Sequence, residues 1–530
     1  MPSILGWAAI VVVLIQLKRL FKAYAAIKAM KGLPTRFILF GPITIIGAIV
    51  PFYSRWYPRL IGAWIERHTR YAEFNSEAIV FVPVLYGDVF VQLASPEVSK
   101  TILADINAWP KPDVAVTLNE MGENVLTSRG DQWRLHRRAV TPAFSNETHT
   151  NVWEVTRSLY YQMLDTEEWR SGDKLFFPSI SKYTTRLALL VIAACGFNMQ
   201  LQWNEDGSSD GLTSPIDRAV VTVSSTIVER LNFAWIFRLP IEGLRKIDRA
   251  WADLHFWLNR EVRTTKEELH KVMKLSGGDN KAQYENNVFG RLIAASMENG
   301  KDFDDSDVVG NLFIFFFAGH ETTAWTLVNT LAMLALYQDE QERLYNHIRS
   351  VVGDRDPTPT DYPDLAPVLW CFYEALRLYP TAHIMLRTPS EDTVLSDPHL
   401  VASKENVLIP KGVIVIVDLI GTSRNPRHFP DGDAFNPLRW SNSSETSTNL
   451  FDQFLGFSTG PRVCVGKRFA TFEAVCWLTL IMRDWKVDVK LNEGETREQW
   501  RERVMKPVML ATMRMDGDVP LTFTRRTSKA

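Results

Sequence analysis

The chain is poor in cysteine. Its 530 residues include four, Cys195, Cys371, Cys464 and Cys476, and no two of them form a CxxC pair. Disulfide scaffolds and structural zinc modules both need closely and regularly spaced cysteines. The sparse spacing therefore argues against both classes and is typical of a protein in a reducing compartment.

The chain also lacks an excess of charge of either sign. Its formal net charge is −2, with 59 Lys and Arg residues against 61 Asp and Glu residues. Proteins that bind nucleic acid non-specifically carry a clear surplus of positive charge. We therefore predict no nucleic-acid partner.

Long apolar runs are scarce, and the clearest one, residues 4–17, lies at the N-terminus. As a helix it would span roughly 21 Å, short of a bilayer core of about 30 Å. Leu20 and Phe21 extend it if Lys18 and Arg19 reach towards the lipid headgroups. Because the basic residues follow the run, the positive-inside rule predicts a single membrane anchor with the rest of the chain on the cytoplasmic side.

A second uncharged run extends from Phe37 to Tyr53 and is interrupted by glycine and proline, which suits a helix interior poorly. We predict that this run lies in the membrane interface or packs on the domain; a membrane-spanning segment stays an alternative. The predicted organisation is an anchor over residues 1–22, a linker and membrane-associated segment over residues 23–53, and one catalytic domain over residues 54–530.

Helical patterns dominate the rest of the chain. Residues 304–336 are apolar on most faces, which predicts a long helix through the middle of the domain. A β-hairpin is predicted around Gly87, a pair of strands joined by a Pro-Lys-Gly turn within residues 408–417, and late strands at residues 485–490 and 521–524. The predicted fold class is mainly α with small peripheral β-sheets.

Cys464 lies in the stretch FSTGPRVCVG, which begins at Phe457. Gly460 and Gly466 permit a tight turn and a close approach to a partner. Peptide N–H groups in such a turn can point at the sulfur, and Arg462 adds positive potential that lowers the thiol pKa. The thiolate could serve as a nucleophile, a redox centre or a metal ligand, although the loop contains no histidine to act as a base.

Two motifs at helical spacing precede this loop. Trp133 and Arg137 are four residues apart, on one helical face, and both can donate hydrogen bonds to an anion. Glu374 and Arg377 are three residues apart and can pair with each other.

The predicted central helix contains the sequence AGHETT at residues 318–323. Thr322 can hydrogen-bond back to the carbonyl of Ala318 and loosen the turn. This pattern predicts a small polar groove in an otherwise apolar wall. His320, at the variable position of the motif, is predicted to turn away from the groove.

Taken in order, these motifs resemble the cytochrome P-450 family, and the sequence style is similar to membrane-anchored fungal members. Thiolate ligation of haem is the known mark of this family. The resemblance implies the P-450 fold, with haem b (iron protoporphyrin IX) between the long central helix and the cysteine loop. It also implies that Cys464 is the proximal iron ligand and that Glu374, Arg377 and Arg439 form a buried network that shapes the loop.

The remaining site residues follow from the same resemblance. Trp133, Arg137, Arg387 and Arg462 would contact the haem propionates. Phe457 would pack near the cysteine side of the ring, while Gly460 and Gly466 let the loop approach it. Thr322 and Glu321 would be the catalytic residues that deliver protons for cleavage of the O–O bond.

The implied activity is that of a monooxygenase that inserts one oxygen atom of O2 into a lipophilic substrate. No glycine-rich nucleotide-binding loop is present, so we predict no fused reductase. Electrons would come from NADPH through a separate flavoprotein reductase. The implied location is the endoplasmic reticulum membrane, with membrane lipid as a further partner and the catalytic domain on the cytoplasmic face.

A terpenoid or steroid-like substrate is favoured, and a fatty acid or an aromatic metabolite is possible. Two alternative functions stay open, a haem-thiolate isomerase or dehydrase of hydroperoxides and a non-catalytic haem-binding protein. The intact acid–threonine pair at Glu321 and Thr322 disfavours both. Positions predicted to line the substrate pocket are Asn311, Ile314, Phe315 and Ala318, with segments 113–125, 381–386 and 507–513.

Overall fold

A computed structural model describes residues 4–44, 53–113, 119–197, 218–220, 234–276, 288–400, 406–441, 450–509 and 512–526, with a few isolated positions between these ranges. Parts of three predicted segments lie outside the described residues: 45–46 and 48–52, 114–118, and 510–511.

Helices dominate the described residues, which confirms the predicted fold class. Helices α1 to α16 run, in chain order, over Ile4–Ala29, Gly62–Ile65, Pro96–Ala104, Gly130–Val140, Asn146–Leu164, Glu167–Arg170, Ser181–Phe197, Glu242–Ser276, Val288–Asn299, Asp305–Leu336, Gln338–Val352, Ala366–Leu378, Leu419–Thr422, Leu450–Gln453, Lys467–Asp484 and Arg497–Val504.

The strands form small sheets at the periphery. Strands β1 to β12 run over Thr35–Phe40, Ala78–Tyr86, Phe90–Leu93, Lys174–Phe177, Ile384–Arg387, Thr393–Leu395, Val407–Ile409, Ile414–Asp418, Trp485–Val489, Pro507–Met509, Met513–Met515 and Leu521–Arg525. One five-stranded sheet has the order β1-β2-β3-β8-β5, and a three-stranded sheet has the order β4-β12-β9. β10 pairs with β11 and β6 with β7.

The local turn chemistry decides several of these elements. The predicted hairpin is confirmed: β2 and β3 are antiparallel, with Ile79 opposite Gln92, and Gly87 between them has a φ of 119°. The two late strands are confirmed as β9 and β12, and they pair with each other. The predicted pair around the Pro-Lys-Gly turn is wrong, because β7 pairs with β6 while β8 pairs with β3 and β5. Side-chain burial assigned the two strands to different sheets, and the turn itself carries no information about that choice.

The central helix α10 confirms the prediction of a long helix through the domain. It begins with a capping box in which Asp304 accepts from the backbone of Asp307 and the Asp307 side chain accepts from Asp304 N. Most of its residues are buried, as expected for a helix that is apolar on most faces. It packs against α7, α12, α8 and α9.

The N-terminal helix differs from the expectation of a spanning anchor. No helix among the described residues is both long enough and apolar enough to cross a membrane. In α1 the uncharged run ends at Leu17, and charged residues follow from Lys18 onwards. The helix continues past residue 22 and packs on the domain: Ala26 is buried, and Arg19 donates to the carbonyls of Leu85 and Gly87. The start of the second uncharged run forms β1, which pairs with β2 on the domain.

Candidate active site around Cys464

The cysteine loop is held between the short helical turn Gly460–Arg462 and the start of α15. Cys464 N donates to the carbonyl of Phe457 over 2.9 Å and closes the loop. Gly460 has a φ of 68°, and a Cβ there would lie 2.9 Å from the carbonyl oxygen of Leu103. Only glycine fits this position without strain, because both its backbone conformation and the approach of α3 exclude a side chain.

Cys464 is the one exposed cysteine among the four; the other three are buried. The surrounding protein atoms nevertheless desolvate its thiol, which raises the pKa. The Gly466 N–H donates to the sulfur, and the charges of Arg137 and Lys467 act in the opposite direction to desolvation. A metal that displaces the thiol proton would therefore find a sulfur already supported by one peptide donor and two cations.

Arginine side chains gather beside this sulfur. Arg137 Nη1 donates to the carbonyl of Val463 over 3.0 Å, and Arg462 Nη2 donates to the carbonyl of Ser128 over 2.7 Å. The Arg462 guanidinium lies 4.6 Å from the centre of the buried Trp133 ring. The structure thus brings Trp133, Arg137 and Arg462 together with Cys464, as the resemblance implies.

Two cations of this cluster were missed at the sequence level. Desolvation, together with the charges of Arg387, Arg129 and Arg137, lowers the pKa of Arg462 to about 9. Desolvation also lowers the pKa of Lys111, and the positive charges of Arg462 and Arg387 lower it further. Lys111 and Arg129 precede α4 in irregular segments, where no helical spacing marks them as members of a site.

The cluster fits a group with two carboxylates. Arg387 is buried and its Nε has no hydrogen-bond partner, while desolvation lowers its pKa to about 10. No carboxylate among the described residues pairs with Lys111, Arg387 or Arg462. Buried cations without counter-charges are costly unless a ligand supplies the anions. The open thiol and this cluster together fit haem, whose two propionates would meet the cations.

On the other side of the site, α10 presents an open face. Ala318 is exposed, and Glu321 and Thr322 are partly exposed, within an otherwise buried helix. Thr322 Oγ1 donates to the carbonyl of Ala318 over 2.8 Å, which is the predicted back-bond. His320 is buried and its Nδ1 lies 2.8 Å from the carbonyl oxygen of Phe316, so it points away from this face as predicted.

Burial raises the pKa of the Glu321 carboxyl. A hydrogen bond from Thr512 and the charge of Arg514 act in the opposite direction. Thr512 and Arg514 belong to the β10–β11 hairpin and its turn. The acid is therefore held between the central helix and this hairpin.

The predicted pocket-lining positions on α10 are only partly borne out. Asn311 is fully buried; its Oδ1 accepts from Val125 N over 2.9 Å and its Nδ2 lies 2.7 Å from His136 Nδ1. Ile314 and Phe315 are also buried in the core. The prediction is wrong for Asn311, because the loop before α4 and His136 engage both ends of its side-chain amide.

Within the predicted segment 381–386, one residue of the turn after α12 is exposed. Ala382 is exposed, while Thr381 and His383 on either side are buried. The carbonyl of Thr381 accepts from Met513 N over 2.8 Å, which ties this turn to the hairpin that contacts Glu321.

The network behind the cysteine loop is confirmed. Glu374 and Arg377 are fully buried, and the Glu374 carboxylate also accepts from Arg439 Nε over 2.9 Å and from Trp440 Nε1 over 3.0 Å. Phe457 packs against Tyr373 from the same helix α12, with ring centroids 6.0 Å apart. The network therefore connects α12 to the chain that leads into the loop.

Comparisons with known proteins agree with this geometry. A family model described as Cytochrome P450 matches residues 61–512, a stretch that includes every site residue predicted from the sequence. Cytochrome P450 monooxygenase 124 of Postia placenta is 30% identical over 524 residues, which cover 96% of this chain and 97% of that protein. Human Cytochrome P450 4F12 is 28% identical over 409 residues, covering 74% of each chain. Rat Cytochrome P450 4A2 is 29% identical over 390 residues, covering 72% and 73%.

Proposed function

Because the chain belongs to the cytochrome P450 family and is a haem-thiolate monooxygenase, we propose that it inserts one oxygen atom of O2 into a lipophilic substrate with a terpenoid or steroid-like skeleton. Electrons come from NADPH through a separate flavoprotein reductase. The observation that carries the proposal is the exposed thiol of Cys464 beside a cluster of cations, of which Lys111, Arg387 and Arg462 have no carboxylate partner among the described residues. The polar face of α10 accompanies them.

The residues around the sulfur hold the cofactor. Haem, when bound, supplies the chemistry of O2 activation, and a thiolate ligand favours O–O cleavage. Cys464 Sγ is the proximal ligand in this proposal. The haem propionates would be held by Trp133, Arg137, Arg387 and Arg462, with Lys111 and Arg129 as additional partners.

Two neighbouring residues on α10 handle protons. The Thr322 hydroxyl donates to the Ala318 carbonyl, so its oxygen lone pairs are free to accept a hydrogen bond from water. The Glu321 carboxyl is the adjacent proton donor, and its raised pKa keeps part of it protonated nearer to neutral pH. Together they supply protons to oxygen at the open face of the helix.

The substrate class is supported by small side chains at the exposed positions. Ala318 and Ala382 are both exposed, and they present only methyl groups. Such a wall suits a bulky apolar skeleton better than a site lined by large side chains. A fatty acid or an aromatic metabolite remains an outcome of the product screen described below.

A membrane contact through α1 is part of the proposal. Among the described side chains of this helix, nine apolar and aromatic residues are more than half exposed: Trp7, Val11, Val12, Val13, Leu14, Ile15, Leu17, Phe21 and Tyr24. A contiguous apolar surface of this kind is typical of a lipid contact. We place the protein on the cytoplasmic face of the endoplasmic reticulum membrane, with residues 54–530 as the haem-thiolate catalytic domain.

The surface beside the cysteine loop is suited to an acidic reductase. Arg134, Arg138 and Arg468 are exposed there, and Lys467 lies directly behind the loop. Exposed cations of this kind accelerate the encounter with an acidic partner through long-range attraction.

The reduced, carbon-monoxide-bound spectrum of the purified protein tests the central claim. We expect the thiolate-type band, and Cys464→Ser should abolish it while Cys371→Ser leaves it unchanged. A band at the histidine-haem position in active protein would contradict the proposal.

A product screen in cells that co-express a reductase and are fed terpenoids, sterols and fatty acids then decides the substrate. Turnover of a hydroperoxide without reductase would instead identify an isomerase or dehydrase.

A further inference from the structure

The side-chain amide of Asn311 joins the central helix to two other elements. Asn311 is completely buried, and its Oδ1 accepts from Val125 N over 2.9 Å. Its Nδ2 donates to the carbonyl of Asp307 over 2.7 Å and lies 2.7 Å from Nδ1 of His136. One side chain of α10 therefore contacts both the loop before α4 and α4 itself.

The backbone of this loop lies directly on α10 beside the amide. A Cβ on Gly310 would overlap the carbonyl oxygen of Glu123, and a Cβ on Gly122 would overlap that of Ser306. Gly122 also has a φ of 126°, which glycine adopts readily and other residues rarely do. The two glycines permit the close crossing, and the hydrogen bond to Asn311 fixes the register of the loop along the helix.

The loop then closes into a compact turn at residues 124–128. Asn124 Oδ1 accepts from Leu126 N over 3.1 Å, and Ser128 N donates to the carbonyl of Asn124 over 3.0 Å. Because these bonds close the turn on itself, a displacement of its first residues also displaces the carbonyls that follow.

These carbonyls orient two cations of the cluster beside the cysteine loop. Lys111 Nζ donates to the carbonyl of Leu126. Arg462 Nη2 donates to the carbonyl of Ser128 over 2.7 Å. Long charged side chains sample several rotamers unless a partner selects one. The place of the turn on α10 therefore sets where both cations point.

The second element that Asn311 contacts carries the other members of the cluster. Trp133 and Arg137 lie on α4, the helix of His136. We propose that Asn311 is a positioning residue, which holds the 124–128 turn and α4 on the central helix so that the donors on both meet the haem propionates together. This role rests on the proposed function, because the cations need a common position only if they share a ligand.

Asn311→Leu tests this role, because leucine is similar in size and leaves the Val125 N–H without its acceptor. Haem should transfer to apomyoglobin roughly threefold to tenfold faster, in line with the loss of one buried hydrogen bond. Asn329→Leu is the matched control: Asn329 is completely buried on the same helix, but its amide has no hydrogen-bond partner in the described part of the chain. Its transfer rate should be unchanged, and equal acceleration in both variants would overturn the proposal.

The reduction potential of the haem separates positioning from a general loss of stability. We expect the potential to fall in Asn311→Leu, because cations farther from the propionates stabilise the reduced iron less. In an Arg462→Met background the further fall should be smaller, since one of the positioned cations is already absent. An equal fall in both backgrounds would show that Asn311 does not act through Arg462 and would overturn the proposal.

Hydrogen exchange of the peptide that contains Val125 tests the contact itself. Exchange should be faster in Asn311→Leu and unchanged in Asn329→Leu. Asn311→Ser, which is too short to reach the Val125 N–H, should give the same result if the leucine variant does not fold. Unchanged exchange would overturn the proposal, and so would faster exchange with an unchanged transfer rate and potential. Absence of the thiolate band in the unmodified protein would contradict the proposed function instead, and the exchange data would still decide the contact.

Discussion

Glu374 and Arg377, three residues apart on α12, form an ion pair inside the protein, with Arg377 Nε 2.9 Å from Oε2 and Arg377 Nη2 2.8 Å from Oε1 of the carboxylate. The third guanidinium nitrogen, Nη1, donates to the carbonyls of Ser423 and Gly432. This pair joins α12 to the two segments of chain that precede the cysteine loop. The stability contribution of this buried pair can also be compared with that of an ion pair on the surface of the same protein.

Arg377→Met leaves the Glu374 charge buried without its main partner. We expect a loss of about 3–5 kcal/mol in the free energy of unfolding, because removal of one member of a buried pair exposes the desolvation cost of the other. Arg343→Met is the matched control: Arg343 pairs with Glu340 at the same spacing, but its side chain is 52% exposed. The free energy of unfolding of the control, measured by denaturant titration, should fall by less than about 1 kcal/mol. Equal losses in the two variants would contradict this reasoning.

Thr322→Ala removes the hydroxyl on the open face of α10. Product formed per NADPH should fall by roughly tenfold, with hydrogen peroxide in its place, because a positioned proton donor contributes at least that much. Thr330→Ala is the control, since Thr330 makes the same back-bond, to the Thr326 carbonyl, but is fully buried. Coupling that is unchanged in Thr322→Ala, or equally lost in Thr330→Ala, would exclude a specific role for Thr322.

Arg387→Met removes a buried cation that has no acidic partner among the described residues. Haem should transfer to apomyoglobin about tenfold faster or more, because a charge-assisted hydrogen bond contributes about 1.5–3 kcal/mol. Arg138→Met, on the exposed face of α4, should leave the transfer rate unchanged. If both variants lose haem equally, Arg387 does not contact a propionate.

Glu473→Gln tests a carboxyl that lies inside the protein on α15. Burial raises the pKa of Glu473 to about 8, from an ordinary value of 4.5, and its Oε1 has no hydrogen-bond partner. The folded state therefore keeps a proton that the unfolded state releases, and stability is lost as the pH rises through this interval. The gain in melting temperature of Glu473→Gln should grow between about pH 4.5 and pH 8 and then level off. A gain that is independent of pH would show that the carboxyl titrates normally.

The elements that could be predicted were those in which local spacing decides the result. The hairpin at Gly87, the central helix α10 and the back-bond of Thr322 each depend on residues within a few positions of one another. The Glu374–Arg377 pair belongs with them, because a separation of three residues on a helix brings the two side chains together. Its complete burial depends on segments far along the chain.

The sequence by itself determined the order and spacing of the motifs, and with them the family, the thiolate and the acid–threonine pair. The tertiary structure alone decided which distant segments meet. It brought Lys111 and Arg129 from irregular segments to the cations around Cys464, and it covered Asn311 with the loop before α4. The physical reason is that such contacts follow from the packing of helices and sheets, in which burial of apolar surface and pairing of buried polar groups are satisfied over the whole chain.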